Sequence, residues 1–132
     1  MSKQEAIKTT CPYCGVGCGV LARPDGQGGV EVEGDPDHGS NFGRLCSKGS
    51  ALGETVDLAG RLLHPVVNGA RSDWDTALDK VAQGFKRIID VYGPESVAFY
   101  VSGQLLTEDY YVANKLMKGY IGSANIDTNS RL

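Results

Sequence analysis

Four cysteines carry most of the chemistry this chain can perform, and their spacing says what kind. Cys11-Pro-Tyr-Cys14-Gly-Val-Gly-Cys18-Gly supplies three of them, and Leu45-Cys46-Ser47-Lys48-Gly49 supplies the fourth after 27 intervening residues. Three thiolates from one glycine-rich loop plus one from a distant segment suit a compact inorganic centre whose corners each need one sulfur, which is how a cubane iron-sulfur cluster is held. Glycines between the cysteines let the backbone come close to such a centre and turn amide N–H groups toward it. Two other readings stay open on spacing alone. Structural zinc more often joins two Cys-x2-Cys knuckles, whereas Cys46 stands without a second cysteine beside it. A disulfide framework would suit a small exported chain, but nothing before Cys11 resembles an export signal, so a reducing, cytoplasmic setting is expected.

The totals fit this frame. The 132 residues suffice for one ordinary domain or two small ones, and 41% hydrophobic and 22% charged residues describe a globular composition. A net charge of −3 gives no general reason to expect nucleic acid or a membrane as partner, and no run is apolar enough to span a bilayer. Residues 1–60 hold five basic and eight acidic side chains, and residues 61–132 eight of each, so the deficit lies in the cysteine half. An acidic surface there could steer a redox partner or be an ordinary solvated face.

The elements that must position the cysteines follow in chain order. Residues 1–9, polar and without periodicity, are expected to be loosely packed. Gly19–Arg23 and Gly29–Glu33 predict two short antiparallel strands joined by Pro-Asp-Gly turn chemistry. Residues 34–43 favour neither helix nor strand and predict a surface connection back to Cys46. With few large apolar residues, this half is expected to depend on its metal centre for folding.

A composition shift at Arg61–Gly69, with Pro65 inside it, marks the expected boundary. Beyond it, Ser72 is the expected N-cap of a helix whose Trp74, Leu78, Val81, Phe85, Ile88 and Ile89 form one apolar stripe, stopped at Gly93-Pro94. Ser96–Val101 predicts a strand covered on both faces. Thr107 opens a second helix ending at Gly122, with Val112, Leu116 and Tyr120 as core. The junction Ser102-Gly103-Gln104 is a second candidate site, because ligands of open α/β sheets collect beyond the carboxyl ends of strands. His38 and His64 are expected in loop or boundary roles. The fold class is therefore α+β: a small cysteine-bearing domain of short antiparallel strands over residues 1–60, then an incomplete βα-type segment over residues 61–132.

Taken together, Cys11-x2-Cys-x3-Cys18, Leu-Cys46-Ser-Lys48-Gly, Arg61-Leu-Leu-His-Pro65, Trp74-Asp-x-Ala-Leu78 and Ser102-Gly-Gln104 resemble the N-terminal portion of molybdopterin oxidoreductases, the group holding a molybdenum or tungsten bis-guanine-dinucleotide cofactor. The resemblance runs from about residue 8 to Leu132. Within that family, the stretches 9–19, 41–49 and 125–132 are most similar to cytoplasmic assimilatory nitrate reductases.

The resemblance implies a [4Fe-4S] domain over residues 1–60 and the start of the molybdopterin-binding region from residue 61. It makes Cys11, Cys14, Cys18 and Cys46 the cluster ligands and Lys48 the electron relay between cluster and pterin, with Ser102, Gly103 and Gln104 at the pterin. It further implies reduction of nitrate to nitrite by the complete enzyme, an electron donor such as a ferredoxin, a flavodoxin or an NADH-linked flavoprotein, and pairing with the rest of a catalytic subunit. No molybdenum-ligating cysteine follows Cys46, so the segment by itself is expected to be inactive. The alternatives are a formate dehydrogenase of the same family and a free-standing iron-sulfur or zinc-binding module.

Overall fold

The computed structural model describes residues 5–129. Residues 1–4 of the stretch expected to be loose, and residues 130–132 at the end of the Asn125–Leu132 stretch, lie outside them. The chain forms two compact units, Met1–Asp57 with Gln104–Tyr110, and Leu58–Gly103 with Tyr111–Leu132. The cysteine-bearing unit thus takes in a short stretch that a single cut at 60/61 assigns to the other half.

In the first unit, β1 (Ile7–Thr10), β2 (Gly19–Pro24) and β3 (Val30–Gly34) form an antiparallel sheet in the order β1-β2-β3. β1 corrects the expectation that residues 1–9 are loose. Its side chains are exposed and polar apart from Ile7, so periodicity could not reveal it, and it is held by ladder bonds to β2 in register from Ile7↔Ala22 to Thr10↔Gly19. β2 and β3 fall within a residue of expectation, joined by a turn in which the Asp25 carboxylate accepts from the Gln27 and Gly29 amides at 2.7 and 2.9 Å.

The connection at 34–43 is more than a surface crossing, because Asp35 and Asn41 are buried within it. The Asp35 carbonyl accepts from the amides of His38 and Gly43, which coils the segment tightly. A short helix α1 (Ser47–Ser50) follows Cys46, and a 3-10 turn over Leu52–Thr55 brings Gly53 against the Val30 carbonyl.

In the second unit, β4 (Val66–Val67) and β5 (Ala70–Arg71) pair across Asn68-Gly69, whose φ values of 52° and 82° are those of a tight hairpin turn. Helix α2 (Trp74–Tyr92) begins one residue later than expected: its N-cap is Asp73, not Ser72. Asp73 accepts from the Thr76 amide at 2.7 Å and from its hydroxyl at 3.0 Å, while the Ser72 amide is drawn away to the Pro65 carbonyl. The helix stops where Gly93 donates to the Ile89 carbonyl at φ 81°.

β6 (Phe99–Val101) is shorter than expected, since Pro94–Ser96 forms a 3-10 turn, and its two faces differ: Phe99 and Val101 are half-buried but Tyr100 is exposed. α3 (Thr107–Asn114) runs into a wider, π-helical stretch, Lys115–Ile121, closed by Gly122 and Ser123 amides on the Met117 carbonyl. The expected core residues Val112, Leu116 and Tyr120 are exposed, and Met117 is buried instead, because the wider turn rotates the inward-facing position. β7 (Ile126–Thr128) pairs parallel to β6 from Phe99↔Ile126 to Val101↔Thr128, so strand, helix and strand make one crossover unit.

Candidate metal centre

The cysteine loop is the connection of a β-hairpin. β1 ends at Thr10 and β2 begins opposite it at Gly19, so residues 11–18 bridge paired strand ends, and the Cys11 amide donates to the Cys18 carbonyl at 2.8 Å to close the ladder. Inside the loop, Gly17 donates to the Cys14 carbonyl with φ 62°, a left-handed turn suited to glycine. Two anchored ends and one internal turn fix where three thiols emerge. Cys46 comes from the N-cap position of α1, with extended backbone, and its sulfur lies within reach of the Gly49 and Lys48 amides.

All four cysteines are free, and all four lie in the first unit. Burial and then the neighbouring charges of Cys11, Cys14 and Cys46 push the Cys18 thiol up from its ordinary value. The Gly49 and Lys48 amides, and then the Lys48 charge, pull the Cys46 thiol down. Cys11 is buried, Cys14 and Cys18 are half-buried, and Cys46 is exposed.

The donor set tests the choice between a cluster and one ion. A tetrahedral zinc ion with Zn–S bonds of about 2.3 Å would gather its sulfurs to within about 4 Å of one another. Among the described residues no three cysteine, histidine or carboxylate side chains gather tightly enough to hold a single metal ion. Four free cysteines within one compact unit supply one sulfur for each corner of a multi-iron centre.

Beside the cysteines, the Lys48 ammonium donates to Gln104 Oε1 and stands 5.8 Å over the Tyr13 ring. Tyr13 lies between Cys11 and Cys14, so one cation touches the cysteine loop, follows Cys46 by two residues and reaches Gln104. Gln104 therefore sits with Lys48 in the first unit. Ser102 and Gly103 belong to the second unit, at the carboxyl end of β6. There the Gly103 amide donates to Asn129 Oδ1 just past β7, so the ends of two parallel strands are laced together. A Cβ at Gly103 would lie 2.4 Å from the Asn129 carbonyl oxygen.

Sequence reasoning missed Asn41, Tyr13 and Asn129 as site-supporting residues. Only Tyr13 had a local signal, its place inside the cysteine motif. The two histidines fall as expected: His38 bonds Ser40 Oγ at 3.0 Å, and His64 bonds Arg71 at 2.7 Å beside the β4–β5 hairpin.

With this geometry in place the comparisons with known proteins become specific. The molybdopterin oxidoreductase Fe4S4 domain matches residues 4–58, and the molybdopterin oxidoreductase domain matches residues 61–132. The chain belongs to the molybdopterin oxidoreductase family, whose cofactors are a [4Fe-4S] cluster and molybdopterin. It is 65% identical over 125 residues to a nitrate reductase of Klebsiella oxytoca, covering 95% of this chain and 14% of that protein. A periplasmic nitrate reductase of Desulfovibrio desulfuricans is 46% identical over 96% of this chain and 17% of its own length. An NADPH-Fe(3+) oxidoreductase alpha subunit of Geobacter sulfurreducens is 35% identical over 94% of this chain and 15% of its own length. The chain thus spans about a seventh to a sixth of these relatives. Among the described residues no helix is long and apolar enough to cross a membrane.

Proposed function

We propose that this chain is the electron-entry segment of a molybdenum-dependent assimilatory nitrate reductase acting in the cytoplasm, with Cys11, Cys14, Cys18 and Cys46 as the cluster ligands. The observation that supports it most is the presence in one compact unit of four free cysteines and one half-buried ammonium, Lys48, that stands over the ring of Tyr13 inside the cysteine loop and holds Gln104. The identity to the Klebsiella nitrate reductase, higher than to relatives of other names, favours nitrate as substrate.

When bound, a four-iron cluster supplies one-electron transfer, and a molybdenum bis-molybdopterin guanine dinucleotide supplies the two-electron removal of oxygen: nitrate, two electrons and two protons give nitrite and water. What this chain contributes is placement. The paired strand ends and α1 hold the thiolates, the exposed Cys46 is where a donor such as a ferredoxin, a flavodoxin or an NADH-linked flavoprotein would approach, and Lys48 offsets the negative charge of four thiolates and sulfides. Its hydrogen bond holds Gln104 within the same unit, and in the second unit Ser102 and Gly103 are the residues that would meet the pterin.

Anaerobic reconstitution followed by iron, sulfide and electron paramagnetic resonance measurements tests the cluster, with one reducible four-iron centre expected. Stoichiometric zinc without sulfide would refute it. Turnover of the complete enzyme with reduced donor tests the substrate: nitrite formation supports the reading, and formate oxidation without nitrate reduction overturns it.

A further inference from the structure

The two halves of the cysteine pattern are far apart in sequence, yet one side chain joins them. Gly19 directly follows Cys18, and Arg44 precedes Cys46 by two residues. Asn41 Oδ1 accepts from the Gly19 amide at 2.9 Å, and Asn41 Nδ2 donates to the Gly19 carbonyl and the Arg44 carbonyl, each at 3.0 Å. The side chain is buried, and it bonds both the N–H and the C=O of Gly19, the first residue of β2.

The orientation of the amide is dictated by its neighbours. Gly19 N–H can only donate and the two carbonyls can only accept, so oxygen must face the first and nitrogen the others. A carboxylate of the same shape would keep one bond and press an oxygen against two carbonyls. An aliphatic side chain would take this partner from the Gly19 amide and the Arg44 carbonyl, and leave the Gly19 carbonyl with the Asp35 amide alone. The packing around Gly19 tightens the fit: a Cβ there would lie 2.3 Å from the His38 ring, and the Gly19 carbonyl also accepts from the Asp35 amide at 2.9 Å.

We infer that Asn41 is a positioning residue for the iron-sulfur centre, fixing the Cys18 and Cys46 thiolates relative to each other by bracing the backbone beside both. The inference rests on the cluster assignment given above. Groups that orient ligands without touching the metal change its affinity by about ten- to a hundredfold when removed. They also change the spectroscopic and redox properties of the centre, which a merely stabilising contact does not.

The test is made on cluster-loaded protein carrying Asn41→Asp, with Asp73→Ala in the other compact unit as a control for general destabilisation. The expected result is altered electron paramagnetic resonance g values, a shifted reduction potential, and iron release to a chelator about tenfold faster than wild type. The Asp73→Ala protein is expected to match wild type in all three. Should Asn41→Asp not accumulate as folded protein, Asn41→Ser, which leaves room for water to bridge the three backbone groups, carries the same measurements. Wild-type g values, potential and release rate in the Asn41 variant would overturn the inference, and so would equal changes in Asp73→Ala. Iron and sulfide in the wild type report on the cluster assignment alone, so failure of that assignment and failure of the Asn41 inference are separable.

Discussion

Close approaches around single residues decide which changes the metal-bearing unit tolerates. A Cβ on Gly34 would sit 2.1 Å from the Gly43 carbonyl oxygen and 2.5 Å from its carbon, and both are backbone atoms that cannot swing aside. At Gly19 the obstacle is the His38 ring, a side chain that can rotate away, and at Gly39 nothing lies within 4 Å. Gly34→Ala is therefore expected to cost about 1–3 kcal/mol, as overpacked sites do. Gly19→Ala should cost less, and Gly39→Ala should stay within about 0.5 kcal/mol of wild type. Denaturant melts of the three variants check the order, and equal midpoints for Gly34→Ala and Gly39→Ala would contradict it. Lys48 presents a different case, because its ammonium is held by Gln104 and by the Tyr13 face. In the complete enzyme Lys48→Met is expected to slow electron flow from donor to molybdenum by about tenfold, the scale of one lost charge-assisted hydrogen bond, with iron content unchanged. Stopped-flow reoxidation by nitrate reads this directly, and an unchanged rate would make Lys48 a bystander.

Among the elements, α2 shows how a local device sets a boundary. Asp73 is held below its ordinary value, first by the Thr76 amide and then by the Thr76 hydroxyl, so its capping contribution is strongest while it is ionised. A lowered folded value places that contribution above the unfolded value of 3.8, and it fades as pH falls through the folded one. Asp73→Ala should thus melt earlier than wild type at pH 7, Asp73→Asn should lie between the two, and the gap between wild type and Asp73→Ala should narrow as pH falls from 7 to below 3.8. Circular dichroism melts at both pH values test it, and a pH-independent gap would remove the cap from the account. α2 was legible from its apolar spacing and Gly93-Pro94 stop, and β2 and β3 from alternation around a Pro-Asp-Gly turn. β1 was not, because four exposed residues carry no periodicity and owe their conformation to the partner strand. Nor was the inward turn of Met117 legible, since helical spacing assumes a regular helix and Lys115–Ile121 is wider. The metal site was the most legible feature because thiol spacing states its chemistry locally. Asn41 was hidden because its role depends on tertiary proximity of residues 19 and 44.

At the scale of the whole molecule, the two compact units rest on different forces. The first contains two buried apolar side chains among its described residues, Cys11 and Val20, with Asp35 and Asn41 buried and hydrogen-bonded beside them. Lys8 adds an ion pair to Asp35 at 3.0 Å, but the ammonium is largely exposed and such pairs contribute little. Little apolar burial means little hydrophobic stabilisation, so the energy of binding a metal centre must carry much of the folding of this unit. Removing iron would also leave four thiols without the centre they hold, with Cys18 already pushed up by burial and then by the other cysteines. The second unit depends on no such centre: it has its own capped helix, the parallel β6–β7 pair, and buried Val97 and Met117. Anaerobic chelation under reducing conditions should therefore separate the two. Amide hydrogen exchange is expected to accelerate at least about tenfold across β1, β2, β3 and residues 35–50, with α2, β6 and β7 retaining their protection. Cysteine-to-alanine exchange at Cys14 should reproduce that pattern without chelator, because it removes one corner of the centre while leaving the buried Cys11 and Val20 in place. Equal loss of protection in both units would mean that they fold as one body, and no loss in either would mean that the strand ladder alone holds the loop.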